Sequence, residues 1–171
     1  MPLNPYVVRA ATDDDFNTVT KIYAHHVLHG LATFELVPPD RATMLQRRAA
    51  ILALGLPFLV AETHKKIVGY AYASAYRPRP AYRFTIEDSI YVDTEYAGHG
   101  CGRALLSALI DLCAKGPWQQ MIAVIGDTAN VRSIRLHEHF GFQHVGTLQA
   151  VGFKFEKWVD SVLMQKALKI E

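Results

Sequence analysis

The segment "YAGHGCGRALL", Tyr96–Leu106, decides how the rest of the chain is interpreted. In it Gly98, Gly100 and Gly102 alternate with other residues, and an apolar pattern with helical spacing follows. Glycine lets a backbone approach a ligand closely, and the free N–H groups of a helix's first turn attract an anion. The segment therefore predicts either a phosphate-binding loop or an ordinary glycine-rich turn before a helix, and the loop alone does not separate the two.

Two common phosphate-binding motifs do not fit this loop. A dinucleotide-binding fingerprint, G-x-G-x-x-G, would need a glycine at Arg103 or at Leu105, depending on where it starts. A P-loop would need Lys and then Ser or Thr after Gly102, where the chain has Arg103 and Ala104. The class of binding site must therefore be decided by the rest of the chain.

The composition is that of an ordinary globular chain: 171 residues, 50% hydrophobic and 20% charged. The formal net charge of +2 is too small to indicate a nucleic-acid or membrane partner. No stretch approaches the roughly eighteen apolar residues of a membrane span. Residues 1–10 lack the basic start and apolar core of a signal peptide. We therefore expect a single cytoplasmic domain over residues 1–171.

The two cysteines, Cys101 and Cys113, both fall on or beside one predicted helix. Their separation along that helix is about 18 Å, whereas a disulfide needs Cα atoms within about 7 Å of each other. We therefore expect two free thiols and a reducing compartment.

Periodicity and capping residues predict an alternation of helices and strands. Helices are expected at 12–30, at 40–54, from the glycine loop to Gly116, and at 130–141. Strands are expected at 6–9, 57–62, 67–76, 84–93, 121–126, 142–152 and 157–168. The third helix places Leu105, Leu106, Leu109, Leu112 and Cys113 on one apolar face. The pattern predicts one α/β domain with a mixed sheet.

Over nearly its whole length, and most clearly in the glycine loop and the segments around it, the chain resembles the Gcn5-related N-acetyltransferase superfamily. The loop is similar to that family's pattern Q/R-x-x-G-x-G/A. A later family pattern, N-x-x-S/A-x-x-L-Y-x-x-x-G-F, resembles Asn130, Ser133, Leu136, His137, Gly141 and Phe142. The segments "YRFTIEDSIYV" and "VGFKFEKWVDSVLMQKAL" look like the phosphinothricin and methionine sulfoximine acetyltransferase branch. The resemblance implies an acyl-CoA N-acyltransferase fold, a mixed, mostly antiparallel sheet flanked by helices, with acetyl-CoA as co-substrate and no metal.

Two positions depart from the superfamily pattern. Ala97 stands where the loop usually begins with Gln or Arg, which matters little if backbone N–H groups make the phosphate contacts. His137 stands where the superfamily often has Tyr, and the phosphinothricin branch looks to carry His there as well.

The resemblance also implies which residues bind acetyl-CoA. The backbone of a splayed strand would reach the acetyl carbonyl, the glycine loop would hold the pyrophosphate, and the last helix would contact the pantetheine arm. These residues are Ile90, Tyr91 and Val92; Ala97, Gly98, His99, Gly100, Cys101, Gly102 and Arg103; and Asn130 and Ser133. For Asn130, capping of its own helix is an equally good explanation.

Two residues are predicted to carry the chemistry. Glu87 lies in the strand before the glycine loop, where the family places the general base, acting directly or through a water. His137 lies where the family places a group near the sulfur, so it would protonate the thiolate or contact the acceptor; a partly buried structural histidine is the alternative. Asp88 is left out because strand side chains alternate and it faces away from Glu87.

Arg77, Arg79 and Arg83 flank two prolines and would suit an acidic acceptor, since guanidinium groups match carboxylate and phosphinate oxygens. A solvated basic loop is the alternative. Phe34 would wall the acceptor pocket or belong to the core.

Three histidines close together on the first helix, His25, His26 and His29, suggest a metal site at first sight. No carboxylate pair or cysteine lies near them in the sequence, so exposed helix histidines are expected instead.

Taken together, the sequence predicts an N-acetyltransferase that moves acetyl from acetyl-CoA to the α-amine of a small amino-acid-like acceptor. An acetyltransferase for another amine, such as a peptide N-terminus, and a non-catalytic CoA-binding module are the alternatives. Exposed sheet edges and an apolar C-terminal strand pair predict a homodimer.

Overall fold

The computed structural model describes residues 5–169, so residues 1–4 and 170–171 of the expected domain lie outside the described part. Its strands are β1 Val7–Ala10, β2 Phe58–Thr63, β3 Lys66–Ala75, β4 Thr85–Val92, β5 Gln120–Gly126, β6 Gln143–Lys154 and β7 Lys157–Ala167. Its α-helices are α1 Phe16–His29, α2 Arg41–Ala53, α3 Cys101–Ala114 and α4 Val131–His139. Each expected helix and strand is found within a few residues of its expected bounds, except that the first helix begins with a short 3-10 turn at Asp13–Asp15.

The seven strands form one sheet in the order β1-β2-β3-β4-β5-β7-β6. Neighbouring strands are antiparallel except β4 and β5, which are parallel. The prediction of a mixed, mostly antiparallel sheet flanked by helices is therefore confirmed. The single parallel pair brings the C-terminal ends of β4 and β5 to the same edge of the molecule.

One face of the sheet carries a row of stacked aromatic rings beneath α1. Tyr70 and Tyr72 of β3 stack with Phe58 of β2, and Tyr70 also stacks with Tyr91 of β4. From α1, Tyr23 packs edge-on against Tyr91, with ring centroids 4.9 Å apart. Glu87 projects from β4 on the same face of the sheet as this aromatic layer.

The opposite face of the sheet packs against α3. A Cβ atom on Gly69 of β3 would lie 3.0 Å from Sγ of Cys101, so glycine here lets α3 approach the sheet closely. Leu105, Leu106, Leu109 and Cys113 are fully buried. Leu112 is 43% exposed, which corrects the expected apolar face, because Leu112 lies at the rim of the stripe. Both cysteines are free and buried, as expected.

The sheet opens between β4 and β5. Their pairing runs from Thr85 opposite Gln120 to Asp88 opposite Ala123, where it ends. Beyond that point β4 stays paired with β3 as far as Val92, and β5 stays paired with β7 as far as Gly126. The two strands therefore diverge into a gap directly before the glycine loop. None of the helices within residues 5–169 is long and apolar enough to cross a membrane.

Candidate active site

A cavity of about 990 Å³ occupies the gap between β4 and β5 and extends over the glycine loop to α4. It brings together most of the residues expected to bind acetyl-CoA, and also His137. These are Ile90, Tyr91, Val92, Ala97, Gly98, Gly100, Gly102, Arg103, Asn130, Ser133 and His137.

Two residues of the expected binding loop do not line this cavity. The side chain of His99 is exposed, while that of Cys101 is buried under the sheet. Burial raises the pKa of the Cys101 thiol to about 12, so it has no reactive thiolate near neutral pH. If Cys101 contacts a ligand, it can do so only through its backbone.

The register of β4 determines which backbone groups face the gap. The N–H of Asp93 donates to the carbonyl of Val68 in β3, and paired residues in antiparallel strands alternate. Tyr91 and Ser89 therefore direct their backbone groups toward β3, whereas Ile90 and Val92 direct theirs toward the gap. The Tyr91 amide, which was expected to be able to reach the acetyl carbonyl, therefore points away from the gap, and this role passes to Ile90 and Val92.

His26 of α1 makes a hydrogen bond to the C-terminal end of β4. Its Nε2–H donates to the carbonyl oxygen of Val92 over 2.9 Å, and its ring packs against Tyr91. Burial lowers the pKa of His26, which favours the neutral imidazole with its proton on Nε2. The expectation of an exposed histidine is wrong for His26, although His25 and His29 are exposed. Within residues 5–169 no group of three or more His, Cys, Asp or Glu side chains could hold a metal ion.

The glycine loop presents the start of α3 to the cavity. Gly98 and Gly100 have φ angles of +86° and +92°, a left-handed conformation that other residues adopt with strain. Ala104 donates to the carbonyl of Gly100, so the N–H groups of the three preceding residues lack a partner within the helix. A Cβ atom on Gly102 would lie 3.3 Å from Leu136 of α4. The loop therefore has the geometry of an anion site at a helix N-terminus.

Asn130 caps α4. Its side-chain oxygen accepts a hydrogen bond from the N–H of Ser133 over 3.3 Å. The capping explanation considered from the sequence is therefore realised, and the amide nitrogen of Asn130 remains on the cavity wall.

Glu87 lies on the aromatic face of the sheet, opposite Ser74 of β3 and half-buried. The pKa of its carboxyl is raised to about 7, chiefly by burial and also by the charge of Asp88, while the charge of Arg77 acts in the opposite direction. A carboxylate that titrates near neutral pH can accept a proton from an amine and release it again. The side chain therefore has the chemistry of a general base.

Asp88, the next residue, points to the other face and meets His137. Nε2 of His137 lies 3.0 Å from Oδ2 of Asp88, and Nδ1 lies 2.8 Å from the carbonyl oxygen of Ser133. Both ring nitrogens are thus engaged, and His137 stands on the face opposite Glu87, which excludes a contact with an acceptor bound beside Glu87. Sequence reasoning passed over Asp88, although the same alternation that separates it from Glu87 directs it toward α4.

The three arginines of the proline-containing loop are exposed and differ in their contacts. Arg83 donates to the carbonyl of Pro80 and stacks over Phe84, with its Cζ 4.5 Å from the ring centroid. Arg77 stacks over the ring of Tyr76, and its charge lowers the pKa of Glu87. Arg77 is therefore better placed than Arg83 to act near the base.

Phe34 lies in the loop between α1 and α2 and packs on the β6–β7 hairpin. A Cβ atom on Gly152 would lie 2.4 Å from its ring, so this glycine makes room for Phe34. The loop is fastened by Lys154, which is 2% exposed and donates from Nζ to the carbonyl of Thr33 over 2.7 Å. Phe34 itself is 37% exposed, so part of its ring is open to solvent at the surface of this loop.

Comparison with known proteins agrees with this geometry. A sequence profile of the acetyltransferase (GNAT) domain matches residues 8–163. A phosphinothricin N-acetyltransferase from Alcaligenes faecalis is 54% identical over 161 residues, which are 94% of this chain and 82% of that protein. An L-methionine sulfoximine/L-methionine sulfone acetyltransferase from Salmonella typhimurium is 37% identical over 94% of both chains.

A solved structure shows the same fold with ligand bound. The phosphinothricin acetyltransferase from Sinorhizobium meliloti, in complex with acetyl-CoA, superposes with a TM-score of 0.92 at 44% identity, covering 96% of this chain and 89% of that one. Profile, relatives and fold agree over nearly the whole described chain. The protein belongs to the GNAT acetyltransferase family.

Proposed function

We propose that this acetyltransferase moves acetyl from acetyl-CoA to the α-amine of a small amino-acid-like acceptor of the phosphinothricin, methionine sulfone or methionine sulfoximine type. The observation that carries the proposal is Glu87. It has a pKa of about 7 and stands on the opposite side of the sheet from Asp88, which lines the cavity. An amine could therefore approach from one face while the thioester enters from the other.

On the coenzyme side, the pyrophosphate would rest on the N–H groups at the start of α3. Ala97, His99, Cys101 and Arg103 would contribute backbone contacts there, together with the three loop glycines. The pantetheine arm would pass α4 and enter the gap, where the N–H of Ile90 or Val92 would donate to the acetyl carbonyl. Such a donor stabilises the negative charge that develops on this oxygen in the transition state.

On the acceptor side, Glu87 would take the proton of the attacking amine. Arg77, with Arg79 and Arg83 on the same loop, would attract the carboxylate or phosphinate of the acceptor. Phe34 would wall the pocket. Because both substrates would bind at the same gap, they would be oriented for a bimolecular transfer.

Side-by-side kinetics on a panel of amines tests the acceptor class. The panel contains phosphinothricin, methionine sulfone, methionine sulfoximine, a peptide with a free N-terminus, a polyamine and an aminoglycoside, with thiol release from acetyl-CoA as the signal. We expect the three amino-acid analogues to have the highest kcat/KM. A preference for the peptide or for a polycation would overturn the acceptor assignment, and acetyl-CoA binding without turnover of any amine would support a binding module.

We further propose that the full chain, residues 1–171, acts as one cytoplasmic domain without nucleic-acid or membrane partners, and that it protects cells from phosphinothricin-type herbicides or antibiotics. We also propose a homodimer. Its support is a set of exposed apolar side chains on the β6–β7 hairpin at one sheet edge, since large exposed apolar patches mark interaction sites. These are Val145, Leu148, Val151, Phe153, Phe155 and Trp158.

A further inference from the structure

We propose that Asp88 is a positioning residue for the acetyl transfer: together with His137 it holds one additional proton where β4 and β5 separate, and this proton passes to the sulfur of the departing coenzyme. The inference rests on the proposed function, and it assigns to Asp88 a role that sequence reasoning did not.

The hydrogen bonds of His137 require the additional proton. A neutral imidazole has one N–H and one lone pair. Its Nδ1 faces the carbonyl oxygen of Ser133 at 2.8 Å and its Nε2 faces Oδ2 of Asp88 at 3.0 Å, and a carbonyl and a carboxylate both only accept. The pair is therefore either an imidazolium with a carboxylate or an imidazole with a carboxylic acid. Both forms hold one proton more than an imidazole beside a carboxylate.

Burial makes the proton-deficient form unfavourable. The side chains of His137 and Asp88 are 5% and 2% exposed, so water cannot replace the missing hydrogen bond. An ionised Asp88 beside a neutral imidazole would place two lone pairs against each other, either at Nε2 and Oδ2 of Asp88 or at Nδ1 and the Ser133 carbonyl. The pair therefore retains its proton in the resting protein.

The pair also has an unused acceptor at the cavity. Oδ1 of Asp88 is buried and has no hydrogen-bond partner among the described residues 5–169, and Asp88 and His137 both line the cavity. Buried polar atoms nearly always have partners, so an orphaned carboxylate oxygen in a cavity wall calls for an explanation. A donor brought by the ligand, such as the S–H formed when the thioester is cleaved, would satisfy this atom.

The position of the pair matches the place where the sulfur must lie. Asp88 is the last residue of β4 paired with β5, and Ile90, whose N–H faces the gap, is two residues, about 7 Å, further along the strand. A thioester whose carbonyl accepts from Ile90, the nearer of the two gap-facing N–H groups, thus has its sulfur near the vertex of the gap. Consecutive residues of one strand then serve both ends of the reaction, Glu87 at the amine and Asp88 at the thiol.

The proton balance closes in this arrangement. The amine nitrogen forms the new C–N bond and gives its proton to Glu87, and the C–S bond breaks with its electron pair going to sulfur. The thiolate takes the proton held by His137 and Asp88. The imidazole is then neutral and lies between two hydrogen-bond acceptors, to only one of which it can donate, and this arrangement is unfavourable. The pair of His137 and Asp88 regains a proton from solvent while Glu87 releases one, so no net proton is created.

The surrounding groups support this assignment. Burial lowers the pKa of His137, but the hydrogen bond and charge of Asp88 and the hydrogen bond to the Ser133 carbonyl outweigh it, so the pKa is raised above its ordinary value. The charge of Asp88 also raises the pKa of Glu87 on the other face of the sheet and that of the Cys113 thiol of α3, which burial and this charge raise to about 12. Arg132, Arg135 and His139 of α4 also line the cavity.

The variant Asp88→Asn removes the additional proton with little change of shape. The amide of Asn can donate to Nε2 of a neutral imidazole while Nδ1–H still donates to Ser133, so the network is satisfied without the stored proton. Asp111→Asn, an exposed position on α3, makes the same change in charge and serves as the control. The measurement is the single-turnover rate of acetyl transfer to phosphinothricin against pH, with enzyme in excess of acetyl-CoA and the fold checked by circular dichroism.

We expect Asp88→Asn to slow the transfer about a hundredfold, the lower end of the range for acid–base groups, with the KM for acetyl-CoA changed less than twofold. The alkaline limb of the pH profile should move to lower pH, and the acid limb due to Glu87 should stay. Suppose that the wild type and Asp111→Asn are active. A folded Asp88→Asn variant with the wild-type rate and the wild-type alkaline limb of the pH profile would then overturn the inference. An inactive wild type would instead contradict the proposed function.

A second measurement does not depend on the variant. The ¹⁵N shifts of the His137 ring and the ¹³C shift of the Asp88 carboxyl count the protons of the pair in the wild-type protein at pH 7. An imidazolium, or a neutral imidazole beside a carboxylic acid, would support the inference. A neutral imidazole beside an ionised carboxylate would overturn it.

Discussion

At the scale of single residues, the site depends on the alternation of side chains along β4. Glu87 faces the aromatic layer and Asp88 faces α4, so two neighbouring carboxyl groups have different surroundings. Burial and the charge of Asp88 raise the pKa of Glu87, which has no direct ion-pair partner among residues 5–169, to about 7. One strand thus supplies a carboxyl group that titrates near neutral pH, the proposed base, and a second carboxyl group that is hydrogen-bonded to a histidine.

Replacement of Glu87 by Gln tests the base. The variant keeps the shape of the side chain and removes its proton affinity, so we expect kcat to fall by about 10²–10⁴-fold near neutral pH. Acetyl-CoA affinity measured by calorimetry should change little, because Glu87 lies on the other face of the sheet. The wild type should lose activity as the pH falls below about 7, where the carboxylate becomes protonated. Near-normal turnover in the variant would show that another group takes the proton.

The same substitution changes stability in a pH-dependent way. The pKa of Glu87 is raised from 4.5 to about 7 on folding, so between these values the folded state binds more protons than the unfolded state. The free energy of unfolding of the wild type therefore declines as the pH rises through this window, and the Gln variant lacks that decline. Urea unfolding at pH 4.5 and pH 8 should show Glu87→Gln gaining stability relative to the wild type at the higher pH. An equal difference at both pH values would contradict the raised pKa.

Arg77 and Arg83 form a matched pair for testing the acceptor site. Loss of a charge-assisted hydrogen bond costs about 1.5–3 kcal/mol, or roughly ten- to a hundredfold in kcat/KM. We expect Arg77→Ala to raise the KM for phosphinothricin by that order and to leave the KM for acetyl-CoA nearly unchanged. Because the charge of Arg77 lowers the pKa of Glu87, the acid limb of the pH profile should also move to higher pH.

Arg83→Ala is the comparison for this experiment: its guanidinium group is already engaged with Pro80 and Phe84, so we expect a smaller rise in the KM for phosphinothricin than in Arg77→Ala. A similar loss in both variants would indicate a general electrostatic effect of the loop and would count against a specific contact by Arg77.

At the scale of elements, the proposed coenzyme site lies where a strand pair ends and a helix begins. β4 is no longer paired with β5 beyond Asp88, and α3 begins at Cys101 after two glycines with positive φ. Neither feature is a side-chain contact. Both leave backbone N–H groups without a partner in the strand pair or the helix, and these groups are the donors that the proposed site needs.

A glycine-to-alanine substitution, which adds a single methyl group, tests whether the glycine loop binds phosphate. Alanine at position 100 would have to adopt φ near +92°, which costs roughly 1–2 kcal/mol or shifts the loop. We expect Gly100→Ala to weaken acetyl-CoA binding at least about tenfold, equivalent to about 1.4 kcal/mol, as measured by calorimetry. Gly146→Ala is the control, since a Cβ atom there would meet no atom within 4 Å among the described residues. Unchanged affinity in a folded Gly100→Ala protein would refute the phosphate-loop assignment.

At the scale of the whole molecule, the two edges of the sheet differ. β1 is a short edge strand of four residues, whereas β6 is twelve residues long, and exposed aromatic side chains cluster around the turn that joins it to β7. Long exposed edges favour association with another chain. This asymmetry is the structural basis of the proposed homodimer.

A charge placed on the β6–β7 hairpin tests the dimer. Trp158 is 67% exposed, so Trp158→Glu leaves the monomer's core intact and places a charge in the proposed interface. We expect sedimentation velocity to show a dimer for the wild type and a shift toward monomer for this variant. Val7→Glu, at the opposite edge on a residue that is 64% exposed, should remain dimeric. A monomeric wild type at micromolar concentration would disprove the proposal.

The sequence by itself determined the succession of helices and strands, the glycine loop and the family, and the resemblance to that family led to Glu87 as the proposed base. Most of these features depend on residues that are close together in the sequence. The period of apolar positions, the helix caps and the glycine spacing each span only a few residues. The Gly98 and Gly100 positions expected from that spacing have the positive φ angles that favour glycine.

Only the tertiary structure decided where the sheet opens and which side chains meet across it. The pairing of Asp88 with His137 joins residues 49 positions apart, and the bond from His26 to Val92 joins residues 66 positions apart. The same holds for the exposed rim position of Leu112 and the backbone direction of Tyr91. Local patterns specify the face on which a side chain lies, but not its partner, because the partner arrives only when distant elements pack and exclude water from the space between them.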